Sequence, residues 1–163
     1  MVSKRRAGRI AADLLGTTTY FALSTATDGL GGEPPRPWTW WLKRDNPHGL
    51  IVIIDTQQPE AEHAYVQGLY ARYRAFRAQT HPVNLRVLLI LLNKFDLWGR
   101  TAETRETMIN HYRRGVFEDL VDQFRSRFGV TVQWGAASLT QPEHAPYNDV
   151  LFREFLMAVA HKG

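Results

Sequence analysis

Leu85-Arg86-Val87-Leu88-Leu89-Ile90-Leu91-Leu92, followed at once by Asn93-Lys94-Phe95-Asp96, is the stretch on which the fold turns. From Val87 to Leu92 the run is apolar without a break. A strand with one solvated face would alternate, so the pattern predicts a strand over 85–92 buried on both faces. Strands of that kind belong to parallel sheets covered by helices. Gly49-Leu50-Ile51-Val52-Ile53-Ile54-Asp55 has the same character and ends in a carboxylate. Open parallel sheets bind ligands beyond the carboxyl ends of their strands. Asp55 and residues 93–96 are therefore the first places to look for chemistry.

Between and after these strands the apolar period changes to that of helices. Tyr65, Leu69, Tyr73 and Phe76 recur every three or four positions, predicting a helix over Pro59 to Gln79. Thr101 to Phe128 reads as helical with a break near Gly115, and Gly129 is a natural stop. Val130 to Trp134 is a short strand, Ala136 to Tyr147 a loop, and Asn148 to His161 a closing helix. Upstream, Ala7, Ile10, Ala11, Leu14 and Leu15 are spaced as in a helix over Ser3 to Leu15, and Thr17 to Thr25 reads as a strand. Glycine and proline make Asp28-Gly29-Leu30-Gly31-Gly32-Glu33-Pro34-Pro35 a loop. Pro37 to Lys43 reads as a short helix bearing Trp38, Trp40 and Trp41. Strands alternating with helices mean βαβ units. The expected fold is α/β, a three-layer α/β/α sandwich with a mostly parallel sheet, in one domain spanning 1–163.

Bulk properties exclude several classes. With 163 residues, 44% hydrophobic and 22% charged, the chain has enough apolar material for a core and is not of disordered composition. There is no cysteine, so neither a disulfide nor a thiolate metal site is available. The apolar run Ile10 to Leu15 is short and interrupted by Asp13, unlike a secretory signal, and no run approaches the roughly 20 residues that cross a bilayer. A cytoplasmic protein is the expectation. The net charge of +4 owes something to Lys4, Arg5, Arg6 and Arg9, which read as a solvated face and not as a nucleic-acid site.

Asn93-Lys94-Phe95-Asp96 after a buried strand resembles the NKxD motif of P-loop GTPases (G domains) of the Ras/Arf-like, translation-factor-related class. The resemblance implies that Asp96 accepts hydrogen bonds from guanine N1 and N2, Asn93 braces the loop, and the Lys94 stem lies on the ring. Ala137-Ser138-Leu139-Thr140 is similar to the loop that offers backbone amides to guanine O6, adding Ser138 and Leu139 to the guanine-binding set. Asp28-Gly29-Leu30-Gly31 resembles the DxxG motif, with Asp28 holding magnesium through water and Gly31 facing the γ-phosphate. Gly32-Glu33, Arg36-Pro37 and Gly49-Leu50-Ile51-Val52 are similar to the switch II stretch of Arf-type GTPases. In order, these matches cover about residues 28 to 140, and they imply GTP or GDP with Mg2+ as ligands.

Departures from that pattern limit the activity expected. No GxxxxGK[ST] occurs, so the phosphate cradle, its lysine and its magnesium-binding hydroxyl are missing. The strand before that loop is absent as well, which would leave neighbouring strands with unpaired edges. A longer parent chain, a strand from a partner, or residues 17–23 moving into the gap would each resolve this. Gly32 stands where many such enzymes carry the catalytic glutamine. Thr17, Thr18 and Thr19 lie too close to Asp28 to serve as the switch I threonine.

The leading expectation is a GTPase-like domain with weak or absent GTP binding and no catalytic residue, inactive as a hydrolase alone. The alternative is a pseudo-GTPase interaction module docking a protein through Trp38, Trp40, Trp41 and an exposed sheet edge. A third reading is a magnesium-dependent phosphoester hydrolase using Asp28, Asp55 and Asp96, although Asp55 reads better as a structural strand-end residue. His48, His63, His81, His111, His144 and His161 are scattered without metal-ligand spacing.

Overall fold

The computed structural model describes residues 8–14, 17–23, 46–57, 59–79, 84–98 and 101–161. Its strands are β1 (Gly8–Leu14), β2 (Thr17–Leu23), β3 (Gly49–Asp55), β4 (Val87–Asn93) and β5 (Thr131–Ala136). The helices are α1 (Pro59–Gln79), α2 (Ala102–His111), α3 (Glu118–Phe128) and α4 (Ala145–His161). β3, β4 and β5 form a parallel sheet in that order, and β1 pairs with β2 in a separate antiparallel ladder. The fold is therefore α/β. The Asp28–Pro35 loop and the tryptophan-bearing segment lie outside the described residues.

One expectation is overturned at the start of the chain. The stretch read as a helix over Ser3 to Leu15 holds strand β1 instead, in full register with β2 from Gly8↔Leu23 to Leu14↔Thr17. The apolar spacing there fits either structure, and Gly8 weakens a helix. An adjacent run of threonine and aromatic residues supplies a ladder partner, and pairing overrides so weak a local preference. Residues 17–23 thus pair with β1, not with β3.

The unbroken apolar runs are explained by two separate packing layers. From β4, Leu88, Ile90 and Leu92 join a cluster with Val66, Leu69 and Tyr73 of α1, Met108 of α2 and Phe124 of α3. The alternate residues Val87, Leu89 and Leu91 pack with Leu151 and Phe155 of α4. Every apolar residue of β4 is 1% exposed or less, so polar alternation would leave buried groups without partners. β3 follows the same plan on one face, with Val52 and Ile54 buried, while Ile53 is 53% exposed.

Helix ends follow their caps. Thr101 accepts from the Thr104 amide at 3.1 Å to start α2. Between α2 and α3 the chain loosens into a π turn, Tyr112–Val116, around Gly115. Gly129 ends α3 at φ 67°, a conformation in which glycine carries no side-chain penalty.

Two strand glycines let α4 lie close on the sheet. A Cβ at Gly135 would press into the Leu151 side chain, with Cδ1 at 2.8 Å, and one at Gly49 would meet Phe155 Cζ at 2.7 Å. Gly135→Ala is expected to destabilise by about 1–3 kcal/mol through overpacking. Urea unfolding would show this as a lower midpoint at unchanged slope, and an unchanged midpoint would contradict the close approach.

Candidate functional site

Register assembles the site. Asp55 is the Cα partner of Asn93 across β3–β4, and Leu92 that of Ala136 across β4–β5. Asp55, the 93–96 segment and Ala137-Ser138-Leu139 therefore leave the sheet side by side, on the rim where parallel sheets bind ligands. The two outer loops are tied by backbone: the Phe95 amide donates to Ala137 O at 3.2 Å and the Ala137 amide to Leu92 O at 2.8 Å. The Asn93 side chain adds a cross-brace, its Oδ1 accepting from the Leu139 amide at 3.3 Å.

Lys94 takes the left-handed conformation, φ 62° and ψ 35°, which a side-chain-bearing residue adopts only when its surroundings enforce it. Its ammonium reaches across to β3, donating to Asp55 Oδ2 at 2.7 Å and to Gln57 Oε1 at 2.8 Å. The Gln57 amide donates to Asp55 Oδ1 at 3.0 Å. Phe95 turns inward and is fully buried. Asp96 follows in a short 3-10 turn, half-buried, and its carboxylate makes no hydrogen bond or ion pair among the described residues.

Aromatic residues brace this rim. Trp98 Nε1 donates to Thr56 Oγ1 at 3.1 Å, Thr56 Oγ1 donates to Asn93 O at 2.9 Å, and the Tyr112 hydroxyl donates to Thr56 O at 3.1 Å. The Arg105 guanidinium lies 4.5 Å from the Phe95 ring centre and 3.6 Å from that of Tyr147, both within cation–π range. Asn148 Nδ2 donates to Ser138 O at 3.3 Å. Ser138 is 1% exposed and its hydroxyl has no partner, so what it can offer a ligand is main chain.

Of the residues expected from sequence, the structure brings together Asn93, Lys94, Asp96, Ser138 and Leu139. Asp28 and Gly31 lie outside the described residues, as do Trp38, Trp40 and Trp41. Sequence reasoning did not find Thr56, Trp98, Arg105, Tyr112 and Asn148, and read Asp55 as structural. Only Asp55 carried a signal, as a carboxylate closing an apolar strand. Among the described residues no group of three His, Asp or Glu side chains is placed to hold a metal ion, and no helix is long and apolar enough to cross a membrane. No protein-family model, curated protein or solved structure matches the chain.

Charges at the rim respond to pH in opposite senses. Chiefly the hydrogen bond from Lys94, then the Gln57 amide, hold the Asp55 carboxyl below its ordinary value of 3.8. Stability from this pair is complete above pH 3.8 and is lost as pH falls through the lowered native value. Burial pushes the Glu62 carboxyl above its ordinary 4.5, against a hydrogen bond from the Asp55 backbone that lowers it and with a smaller push from the Asp55 charge. For Glu62 stability is complete below pH 4.5 and falls as pH rises through the elevated native value. Glu62→Gln should therefore raise the urea midpoint at neutral pH and leave it nearly unchanged below pH 4.5. A lower midpoint at neutral pH would show that burial is not what governs this carboxyl.

Proposed function

We propose that this chain is a GTPase-like domain whose rim recognises guanine through Asp96, with Asn93, Lys94, Ser138 and Leu139 shaping the pocket. The observation that carries the reading is the Asn93–Leu139 bridge at 3.3 Å, which unites the two loops beside an Asp96 carboxylate that has no hydrogen-bond or ion-pair partner among the described residues. A half-buried carboxylate with no partner among the described residues is matched to a ligand offering two adjacent N–H donors, which guanine has and adenine lacks. Apolar clusters on both faces of β4 support a three-layer, P-loop-NTPase-like arrangement. With no GxxxxGK[ST] among its 163 residues, the chain has no such loop of its own for the phosphates, so GTP or GDP with Mg2+ would bind weakly and hydrolysis is not expected.

Calorimetric titration with GDP and with GTP plus magnesium, against ATP, tests this directly. Saturable binding of GDP in preference to ATP, lost in Asp96→Ala, is the expected result. No binding at millimolar GDP would remove the guanine reading. A second reading, a pseudo-GTPase interaction module, is supported by Leu97, Trp98 and Leu139, which are 59%, 44% and 40% exposed around the same rim.

A further inference from the structure

We infer that Asp55, assisted by Gln57, is the positioning residue that holds Lys94 across the rim, so that the end of β3 is a working part of the base pocket. This rests on the guanine reading above. Three observations carry it. Lys94 Nζ is bonded to two acceptors on the β3 exit, at 2.7 and 2.8 Å, and among the described residues to no group on its own loop. The Asp55 carboxylate is itself aimed by the Gln57 amide at 3.0 Å. The Lys94 backbone is held in the left-handed region two residues before Asp96, and from there its side chain reaches the end of β3.

The physical consequence is preorganisation. A free lysine keeps many rotamers, and a ligand that needs its stem must order it. Here both ends of the side chain are anchored, and the ammonium charge is balanced by a carboxylate before any ligand arrives. The methylene stem is left as a fixed apolar strip at the rim, suited to one face of a planar base. The pair stays partly open, at 40% and 31% side-chain exposure, so a ligand can reach it. Among the described residues Asp55 is the carboxylate paired with the ammonium, and Asp96 makes no ion pair.

Two measurements on the intact chain test the inference. Limited acetylation with mass spectrometry reads Lys94, one of four lysines, in the native and the urea-unfolded chain. Lys94 should be labelled several-fold more slowly in the native protein, and Asp55→Asn should remove that protection. Equal labelling in the native wild type would overturn the tether. GDP titration then reads its use. Asp55→Asn, which retains an acceptor for the Gln57 amide, should weaken GDP about tenfold, and Gln57→Ala by less. The double variant Asp55→Asn/Lys94→Ala should bind no worse than Lys94→Ala alone, because the two residues act as one unit. Additive losses, or GDP binding unaffected by Asp55→Asn, would overturn the positioning role and leave the guanine reading standing. A protected Lys94 in a wild-type chain that binds no GDP would overturn both, and the pair would be a brace between strands.

Discussion

On the proposed guanine reading, replacing Asp96 by Asn is expected to exchange guanine for xanthine as the preferred base. Guanine presents N–H donors at N1 and at its 2-amino group, and the two oxygens of a carboxylate accept both. Asparagine keeps one acceptor and turns the other position into a donor, which faces the 2-amino group and cannot pair with it. A hydrogen bond to a charged group contributes about 1.5–3 kcal/mol, and an unpaired buried donor costs about 1–3 kcal/mol. Guanine affinity should therefore fall roughly 100-fold or more. Xanthine has an oxygen at position 2, and the Asn amide donates to it while the N1 hydrogen is still accepted. Titration with GDP and XDP reads both changes in one experiment. Equal loss of both nucleotides, in a variant that unfolds like the wild type, would show that Asp96 is not the group that reads the base.

The largest effect on stability is expected at Phe117. This residue joins the π turn to α3, with φ −122° and ψ 10°, and its ring is completely buried. Tyr112, Trp134 and His63 surround it, with ring centres at 5.9, 6.1 and 6.1 Å. The backbone is used as well, since the Phe117 amide donates to Tyr112 O at 2.9 Å and its carbonyl accepts from Val121 at 3.0 Å. One side chain thus fastens α1, β5 and the junction of α2 with α3. Truncation to alanine should cost about 3–5 kcal/mol, with transfer and cavity contributions both present. That is a large fraction of the 5–15 kcal/mol typical of a whole domain. Phe117→Leu, which refills most of the space, should cost less than half as much. Chemical denaturation of both variants checks the pair of values. Similar losses for Ala and Leu would mean that ring contacts matter more than volume. Because the Tyr112 hydroxyl holds Thr56 at the rim, Phe117→Ala should also weaken any ligand bound there.

Most of the framework could be read from local pattern. The helix over 59–79, the apolar strand ending at Asp55, the interruption near Gly115 and the stop at Gly129 appear where spacing and glycine placed them, and the strand expected over 85–92 runs from Val87 to Asn93. Burial on two faces and helical amphipathicity leave periodic signatures within a few residues of one another, so a single chain displays them. The presence of an Asn-Lys-x-Asp loop at a strand exit was visible for the same reason. Near the start of the chain local pattern is misleading, because seven residues with an ambiguous period took their structure from a neighbouring strand and not from themselves.

The connections that make a site of these residues were decided by the tertiary structure alone. Lys94 meets Asp55 across 39 positions, and Asn93 meets Leu139 across 46. Neither pairing has a local signature, since each depends on the register of β3, β4 and β5 and on the direction in which a left-handed residue launches its side chain. Burial of the Ser138 hydroxyl and exposure of Trp98 likewise follow from what α4 and the π turn cover. Sequence specifies the elements and the chemistry at their ends, because those depend on near neighbours. Which ends meet, and which groups remain free for a ligand, depends on packing between segments far apart in the chain.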